Sequence, residues 1–284
     1  MEKIAGGVTA AKGFSAAHTA AGIKYQGRED MALIYSSEPC QTAGTFTSNV
    51  VKAAPVKWDR KLVEESAYTQ AVVVNAGIAN ACTGEEGMEY CRRTAECAGK
   101  ELDIPTDAVL VASTGVIGMQ LPMDRICEGI RSMAPQLSEE LAAGNGAAKA
   151  IMTTDTHEKE AAVTFTVDGA QVTVGGMCKG SGMIHPNMCT MLSFVTTDLA
   201  IEKELLQEAL RTVVEDTYNM ISVDGDTSTN DTCLLLANGL AGNKKITEKD
   251  ASYDAFVEAL MEVNRTLAKM MAGDGEGGNS ALRR

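Results

Sequence analysis

The stretch Met177-Cys-Lys-Gly-Ser-Gly-Met-Ile-His-Pro-Asn-Met-Cys-Thr-Met-Leu-Ser-Phe-Val-Thr-Thr-Asp198 concentrates residue types that could do chemistry. A glycine loop carrying Lys179 runs through Pro186 to a small residue, Cys189, and then to Thr190. An apolar run of strand character, Leu192 to Val195, follows at once. That order suits a threonine whose Oγ attacks the carbonyl of Cys189, giving an ester that water opens. A threonine hydroxyl is a weak nucleophile at its free pKa, and the α-amine released by such a cut could serve as its base. Gly180, Gly182 and the Pro186 turn would let the backbone bend into the approach the attack needs. The plainer alternative is a threonine favoured at a strand start for its β-propensity. His185, five residues upstream, reads as a loop histidine without a catalytic task.

Other blocks stand out along the chain: Gly6-Gly7-Val8-Thr9-Ala10 with Gly13-Phe14, Asn75-Ala76-Gly77 through Asn80-Ala81-Cys82-Thr83-Gly84, and Ser113-Thr114-Gly115-Val116-Ile117-Gly118. Further on come Ile151-Met152-Thr153-Thr154-Asp155-Thr156, Val223 to Asp231, and Gly273-Asp274-Gly275-Glu276-Gly277. In this order, and together with the Lys179–Leu192 segment, they resemble the ornithine acetyltransferase family, the glutamate N-acetyltransferases of arginine biosynthesis. One departure is Ile78, where the family usually has a second asparagine.

The resemblance implies that Thr190 is both cleavage point and nucleophile. The chain would then divide into an α chain, residues 1–189, and a β chain, residues 190–284. It also implies an acetyl group moved from N-acetylornithine to glutamate through acetyl-threonine, in a ping-pong cycle. Thr114 and Gly115 match the segment that donates to the oxyanion, Gly115 through its amide; otherwise they form a turn after a strand ending near Ala112. Thr153, Lys179 and Glu276 match substrate-contacting positions, alongside Thr190 itself, with Ile151–Thr156 matching a substrate-site strand of the family. A lysine can hold a carboxylate and a glutamate an ammonium, as the zwitterionic end of both substrates requires. No resident cofactor is expected, and acetyl-CoA stays open as a second donor. The implied fold is a layered αββα sandwich of mixed sheets flanked by helices, and the implied assembly an α2β2 heterotetramer.

Family members continue well beyond the glycine-rich Gly273–Gly277 block, whereas here Gly278 to Arg284 follow it, so the chain reads as shortened at its C-terminus. The absent part ordinarily supplies an asparagine and a Ser or Thr to the pocket. Two alternatives therefore stand beside acetyl transfer: an amidase or aminopeptidase-like hydrolase with the same kind of nucleophile, and an inactive shortened chain.

Composition bounds these readings. The 284 residues, 45% apolar, can bury a substantial core, with one large or two modest domains expected. A net charge of −13 argues against a nucleic-acid groove and against an electrostatic hold on anionic membranes. Met1 to Phe14 lacks the pattern of a signal peptide, and no stretch has the length of a membrane span, so a soluble cytoplasmic enzyme is expected. Eight cysteines are scattered without a Cys-x-x-Cys pair, a spacing that suggests neither zinc nor a disulfide framework. The acidic Asp224, Asp226 and Asp231 lack the spacing and closing glutamate of a calcium loop and read as turn residues, and no metal site is expected.

The elements that must position these residues alternate. Met31–Tyr35, Ala71–Asn75, Ala108–Ala112, Leu192–Thr196 and Thr232–Leu236 read as buried strands. Ala162–Val167 and Ala170–Val174 flank Asp168-Gly169, a strong hairpin signal that implies antiparallel pairing. Apolar residues at helical spacing predict helices from Ile201 to Tyr218, around Met123–Met133 after Pro122, and from near Asp250 to a stop at Gly273.

Overall fold

The computed structural model describes residues 1–180, 191–220 and 228–274. In chain order its elements are β1 (Glu2–Ile4), β2 (Phe14–Thr19), β3 (Met31–Phe46), α1 (Ala54–Glu65), β4 (Thr69–Ile78), α2 (Gly84–Leu102), β5 (Val109–Val116), α3 (Met123–Met133) and α4 (Leu141–Ala150). They continue with β6 (Lys159–Val167), β7 (Ala170–Lys179), β8 (Leu192–Thr197), α5 (Lys203–Glu215), β9 (Thr232–Ala237) and α6 (Ala251–Gly273).

Strands run in the order β1-β6-β7-β8-β9-β3-β4-β5, with β2 also on β3. The long β3 belongs to two sheets: Met31–Tyr35 pair with β2 and β4, whereas Gln41–Phe46 pair with β9. Its register breaks between Tyr35 and Cys40, where the strand passes from one sheet to the other. Pairing is mostly antiparallel, but β4/β5 and β8/β9 are parallel.

Alternation of side chains builds the layers. Val72 and Val74 of β4, with Leu110 and Ala112 of β5, share one core with Leu192, Phe194, Leu234 and Leu236 of the other sheet. Their strand neighbours Ala71, Val73, Val109 and Val111 point the opposite way, onto Ala95 and Ala98 of α2 and Ile126, Ile130 and Met133 of α3. On the far side, Val195, Cys233 and Leu235 meet Leu206 and Leu210 of α5 and Phe256, Leu260 and Leu267 of α6. Both faces of each sheet are buried, so the order helix, sheet, sheet, helix is the expected αββα sandwich of mixed sheets.

Local chemistry explains several boundaries. The Asp250 carboxylate caps α6 by accepting from Ser252 N and Tyr253 N, both at 3.0 Å. Asp168 and Gly169 take φ of 50° and 81°, the left-handed pair that a two-residue hairpin requires. Buried Asp59 of α1 accepts from Val111 N at 2.8 Å, satisfying a donor on the edge strand β5.

The predicted helices are present, with one adjustment. Only Lys203–Glu215 is α-helical; Ile201 forms a bridge to Ile246, and Tyr218 lies in a 3₁₀ turn. The cysteine expectation is corrected. Cys97 of α2 and Cys127 of α3 form a disulfide with Cα atoms 5.7 Å apart. The two helices lie side by side on one sheet, which brings together residues that are 30 apart in sequence. Cys40, Cys91, Cys178 and Cys233 are buried free thiols, and Cys82 is exposed. Burial pushes the Cys40 and Cys233 thiols up to about 12, which leaves them inert as nucleophiles. Among the described residues no helix is long and apolar enough to cross a membrane.

Candidate active site

The carboxyl ends of β4 and β5 form the floor of the site. In their parallel register Asn75 stands opposite Ser113, Ala76 opposite Thr114 and Gly77 opposite Gly115. Gly115 has a φ of +131°, and a Cβ there would lie 2.2 Å from the Gly77 carbonyl carbon, so only glycine fits. Thr114 and Gly115 therefore sit inside a strand; the turn considered as their alternative is not there.

Polar side chains hold this segment from beneath. Ser113 Oγ donates to Asn75 Oδ1 at 2.6 Å, and Asn75 Nδ2 donates to Ile78 O at 2.9 Å. Asn230 Nδ2 donates to Ala79 O at 2.6 Å and to Ser113 O at 2.8 Å. The backbone around Thr114 is thus fixed before any substrate arrives, as electrostatic stabilisation of an oxyanion requires.

Lys179 lies across this floor. It is the last residue of β7 and only 2% exposed, not part of a loop as its glycine context suggests. Its Nζ donates to Thr153 Oγ1 at 2.7 Å and to Thr114 Oγ1 at 3.4 Å, so three predicted site residues meet at one ammonium. An ammonium can only donate. Both hydroxyls must accept from it, and each keeps its own hydrogen to offer elsewhere. Thr153 lies in the irregular stretch that follows α4, which corrects the strand expected there.

A buried charge cluster supports the pocket. Asp155 Oδ1 accepts from Gly180 N at 2.7 Å and from Lys159 Nζ at 2.9 Å; Oδ2 accepts from Thr153 N at 3.1 Å and lies 3.9 Å from Lys179 Nζ. Lys159 also donates to Asp274 Oδ2 at 2.5 Å, and Asp274 accepts from the backbone and hydroxyl of Thr156. Burial pushes the Asp155 carboxyl up, but the two lysines and the Gly180 N–H outweigh it and hold it below the usual range. Burial pulls the Lys159 ammonium down, but its two carboxylates more than compensate. For Lys179 burial wins over the pull of Asp155, and its pKa is lowered.

The described residues that border the nucleophile segment are both pinned by buried acids. Gly180 N bonds Asp155, and Met191 N donates to Asp231 Oδ1 at 2.9 Å. Burial pushes the Asp231 carboxyl up to about 7, against the Met191 N–H and a weaker pull from Lys179. Thr232 N then donates to Met191 O at 3.1 Å, leading into the parallel β8/β9 pair.

Cys189, Thr190 and Glu276 lie outside the described residues, as do Asp224 and Asp226. Of the predicted residues, Thr114, Thr153 and Lys179 come together, and Gly115 adjoins them. Sequence reasoning missed Asp155, Lys159, Asp231, Asn230, Asn75 and Asp274 as supports. Five of these six stand inside the blocks noted above, which is the signal that could have found them; Lys159 had none.

The fold and these contacts define a class first: a four-layer α/β protein with a buried ammonium and hydroxyl cluster where parallel strands end. An L-aminopeptidase D-Ala-esterase/amidase from Ochrobactrum anthropi, described as a variant of the Ntn hydrolase fold, shares this architecture at a TM-score of 0.56 and 13% identity, over 99% of this chain and 90% of that one. The ArgJ family matches residues 15–283, and the chain belongs to that family. The arginine biosynthesis bifunctional protein ArgJ of Symbiobacterium thermophilum is 54% identical over 284 residues, covering 99% of this chain and 70% of the relative. A solved ornithine acetyltransferase from Mycobacterium tuberculosis, complexed with ornithine, is 38% identical with a TM-score of 0.60, over 66% of this chain and 96% of that chain.

Proposed function

We propose that this ArgJ family member moves an acetyl group from N-acetylornithine to glutamate in arginine biosynthesis, after cutting itself between Cys189 and Thr190. The observation that carries the reading is the meeting of Thr114, Thr153 and Lys179 at a rigid strand end, with Met191, next to Thr190, held by Asp231. Thr190 Oγ attacks the acetyl carbonyl while the freed α-amine of Thr190 takes its proton. The tetrahedral oxyanion is met by the Thr114 hydroxyl, whose hydrogen Lys179 leaves free, and by the Gly115 amide. Collapse passes the proton to the departing ornithine amine and leaves acetyl-threonine. The glutamate amine attacks that ester, and the oxyanion and proton steps run in reverse. Lys179 and Glu276 would hold the carboxylate and ammonium of the amino-acid end.

Two particulars of the relatives support this. The M. tuberculosis protein is described with ornithine bound, and its solved chain is matched almost end to end by 66% of this one. Residues 1–189 are the same two thirds of 284, the length expected of an α chain. The division into 1–189 and 190–284, an α2β2 assembly and a cytoplasmic location belong to the same proposal. The relatives' description as bifunctional makes acetyl-CoA the second donor to assay. A hydrolase reading draws only on a likeness at 13% identity, which speaks for the fold alone.

Denaturing electrophoresis with mass spectrometry of the purified chain should give two pieces meeting at Cys189/Thr190. Thr190→Ala should stay in one piece and transfer no acetyl group. Normal processing of that variant would falsify the assigned nucleophile, and release of free acetate in place of N-acetylglutamate would turn the reading to a hydrolase.

A further inference from the structure

We propose that Asp155 is a positioning residue for the acyl-transfer site: one buried carboxylate that fixes the backbone on two sides of the pocket and keeps Lys179 cationic. The inference rests on the proposed acetyl transfer only for the substrate group that Lys179 meets. Its geometry stands without it. Asp155 has no exposed side-chain surface; its two oxygens accept three hydrogen bonds from separate places in the fold, and Oδ2 faces Lys179 Nζ at 3.9 Å as an ion pair. Thr153 N and Gly180 N are the backbone donors, Lys159 Nζ is the charged donor, and Lys179 Nζ is held by charge alone.

The surroundings of Lys179 make this carboxylate decisive. Its Nζ touches the two neutral hydroxyls of Thr114 and Thr153. The charged or titratable groups acting on it are Asp155 before β6, Lys159 of β6, Asp231 before β9 and Cys178 on its own strand. Lys159 repels, Cys178 is a buried thiol whose ionisation is pushed far up, and Asp231, raised to about 7, pulls on Lys179 more weakly than Asp155 does. Without Asp155, burial and Lys159 favour a neutral amine against only the weaker pull of Asp231, and a neutral amine cannot pair with a carboxylate. Lys159 completes the device. Paired with Asp155 and Asp274, it balances two acids against two lysines, so Asp155 stays ionised although buried.

Asp274 supplies the control, because it bonds Lys159 and Thr156 and makes no contact with Lys179. Asp155→Asn keeps an oxygen for a backbone N–H and removes the charge. We expect KM for both amino-acid substrates to rise at least about tenfold, with a smaller fall in kcat. The basic limb of kcat/KM should move at least about one pH unit lower, the displacement that corresponds to a tenfold change in proton affinity. Asp274→Asn should lower Tm and leave that limb in place. The direct readout is the 13Cε resonance of Lys179 in lysine-labelled protein, assigned by its loss in Lys179→Met. In Asp155→Asn it should titrate at lower pH than in the wild type.

A titration unmoved in Asp155→Asn, with Tm lowered as in Asp274→Asn, overturns the inference and leaves Asp155 a structural ion. Should Asp155→Asn not fold, the wild-type resonance decides: an uncharged Lys179 at pH 7.5 also overturns it. A displaced titration with unchanged KM supports the positioning by Asp155 and removes Lys179 from substrate binding, so the two readings fail separately.

Discussion

Between the sheets, Ile34, Val72, Val74, Leu110, Phe194 and Leu234 are buried in one apolar cluster. Nearby, at the ends of β4, β5 and β7 and just before β9, Asn75, Ser113, Lys179, Asp231 and Asn230 are also buried but carry hydrogen-bonding and charged groups. The two regions hold the molecule together differently. The apolar layer gains from the area removed from water, a quantity spread over many side chains and indifferent to direction. The polar end gains only where donors and acceptors meet, because an unmet buried group costs more than a met one contributes. Loss of one side chain should therefore be graded in the first region and concentrated in the second. The strand ends can afford rigid geometry because the layer behind them supplies the stability.

The sharpest break of that contrast is Thr114→Ala. Its neighbours Ser113 and Gly115 are held by Asn75, Asn230 and the β4 register, so the fold should hardly respond. Turnover should fall roughly 10²–10³-fold, the usual effect of losing one oxyanion donor. Steady-state kinetics with a urea melt reads both; an unchanged kcat would take Thr114 out of the chemistry.

Leu110→Ala tests the other side. Leu110 is fully buried between the sheets, and its truncation should cost about 3 kcal/mol, within the range for large-to-small core changes. Unfolding in urea measures that cost. Activity per folded molecule should stay near the wild type, and a large fall in kcat without loss of stability would show that the two regions are not separable.

How far each region can be read from the chain follows from the same physics. The apolar layers show in the sequence because burial on both faces demands runs such as Ala71–Val74 and Val109–Ala112, and because α3 and α6 carry stripes of large apolar residues. The hairpin at Asp168-Gly169 shows because few residue pairs tolerate its backbone. The helices α1, α2 and α4 are hard to see. The buried face of α2 is Gly87, Cys91, Thr94, Ala95, Ala98 and Gly99, and that of α4 is glycine and alanine, so close approach replaces an apolar stripe. In the site, Lys179, Thr114 and Thr153 are legible through their blocks. The Asp155–Lys159–Asp274 cluster is not, since a lone lysine reads as a surface charge and one of its partners lies 115 residues away. The Cys97–Cys127 bridge is hidden likewise, by helix packing that spacing alone does not encode.

The smallest expected effect lies where the two regions touch, at Asp231. Its carboxyl is buried beside the start of β8, and burial raises its pKa to about 7, whereas an unfolded aspartate titrates near about 3.9. Between those values the folded chain keeps a proton that the unfolded chain has released. This group's contribution to stability therefore falls as pH rises from about 4 to about 7, and levels off above. The slope is at most about 1.4 kcal/mol per pH unit. Asp231→Asn cannot ionise, and its amide oxygen can still accept from Met191 N. Urea unfolding of both proteins at pH 5 and pH 7 should show the wild type losing about 2 kcal/mol relative to the variant. Parallel curves would mean that Asp231 is ionised throughout. It would then pull on Lys179 across the whole pH range, where a group titrating at about 7 does so only above that pH.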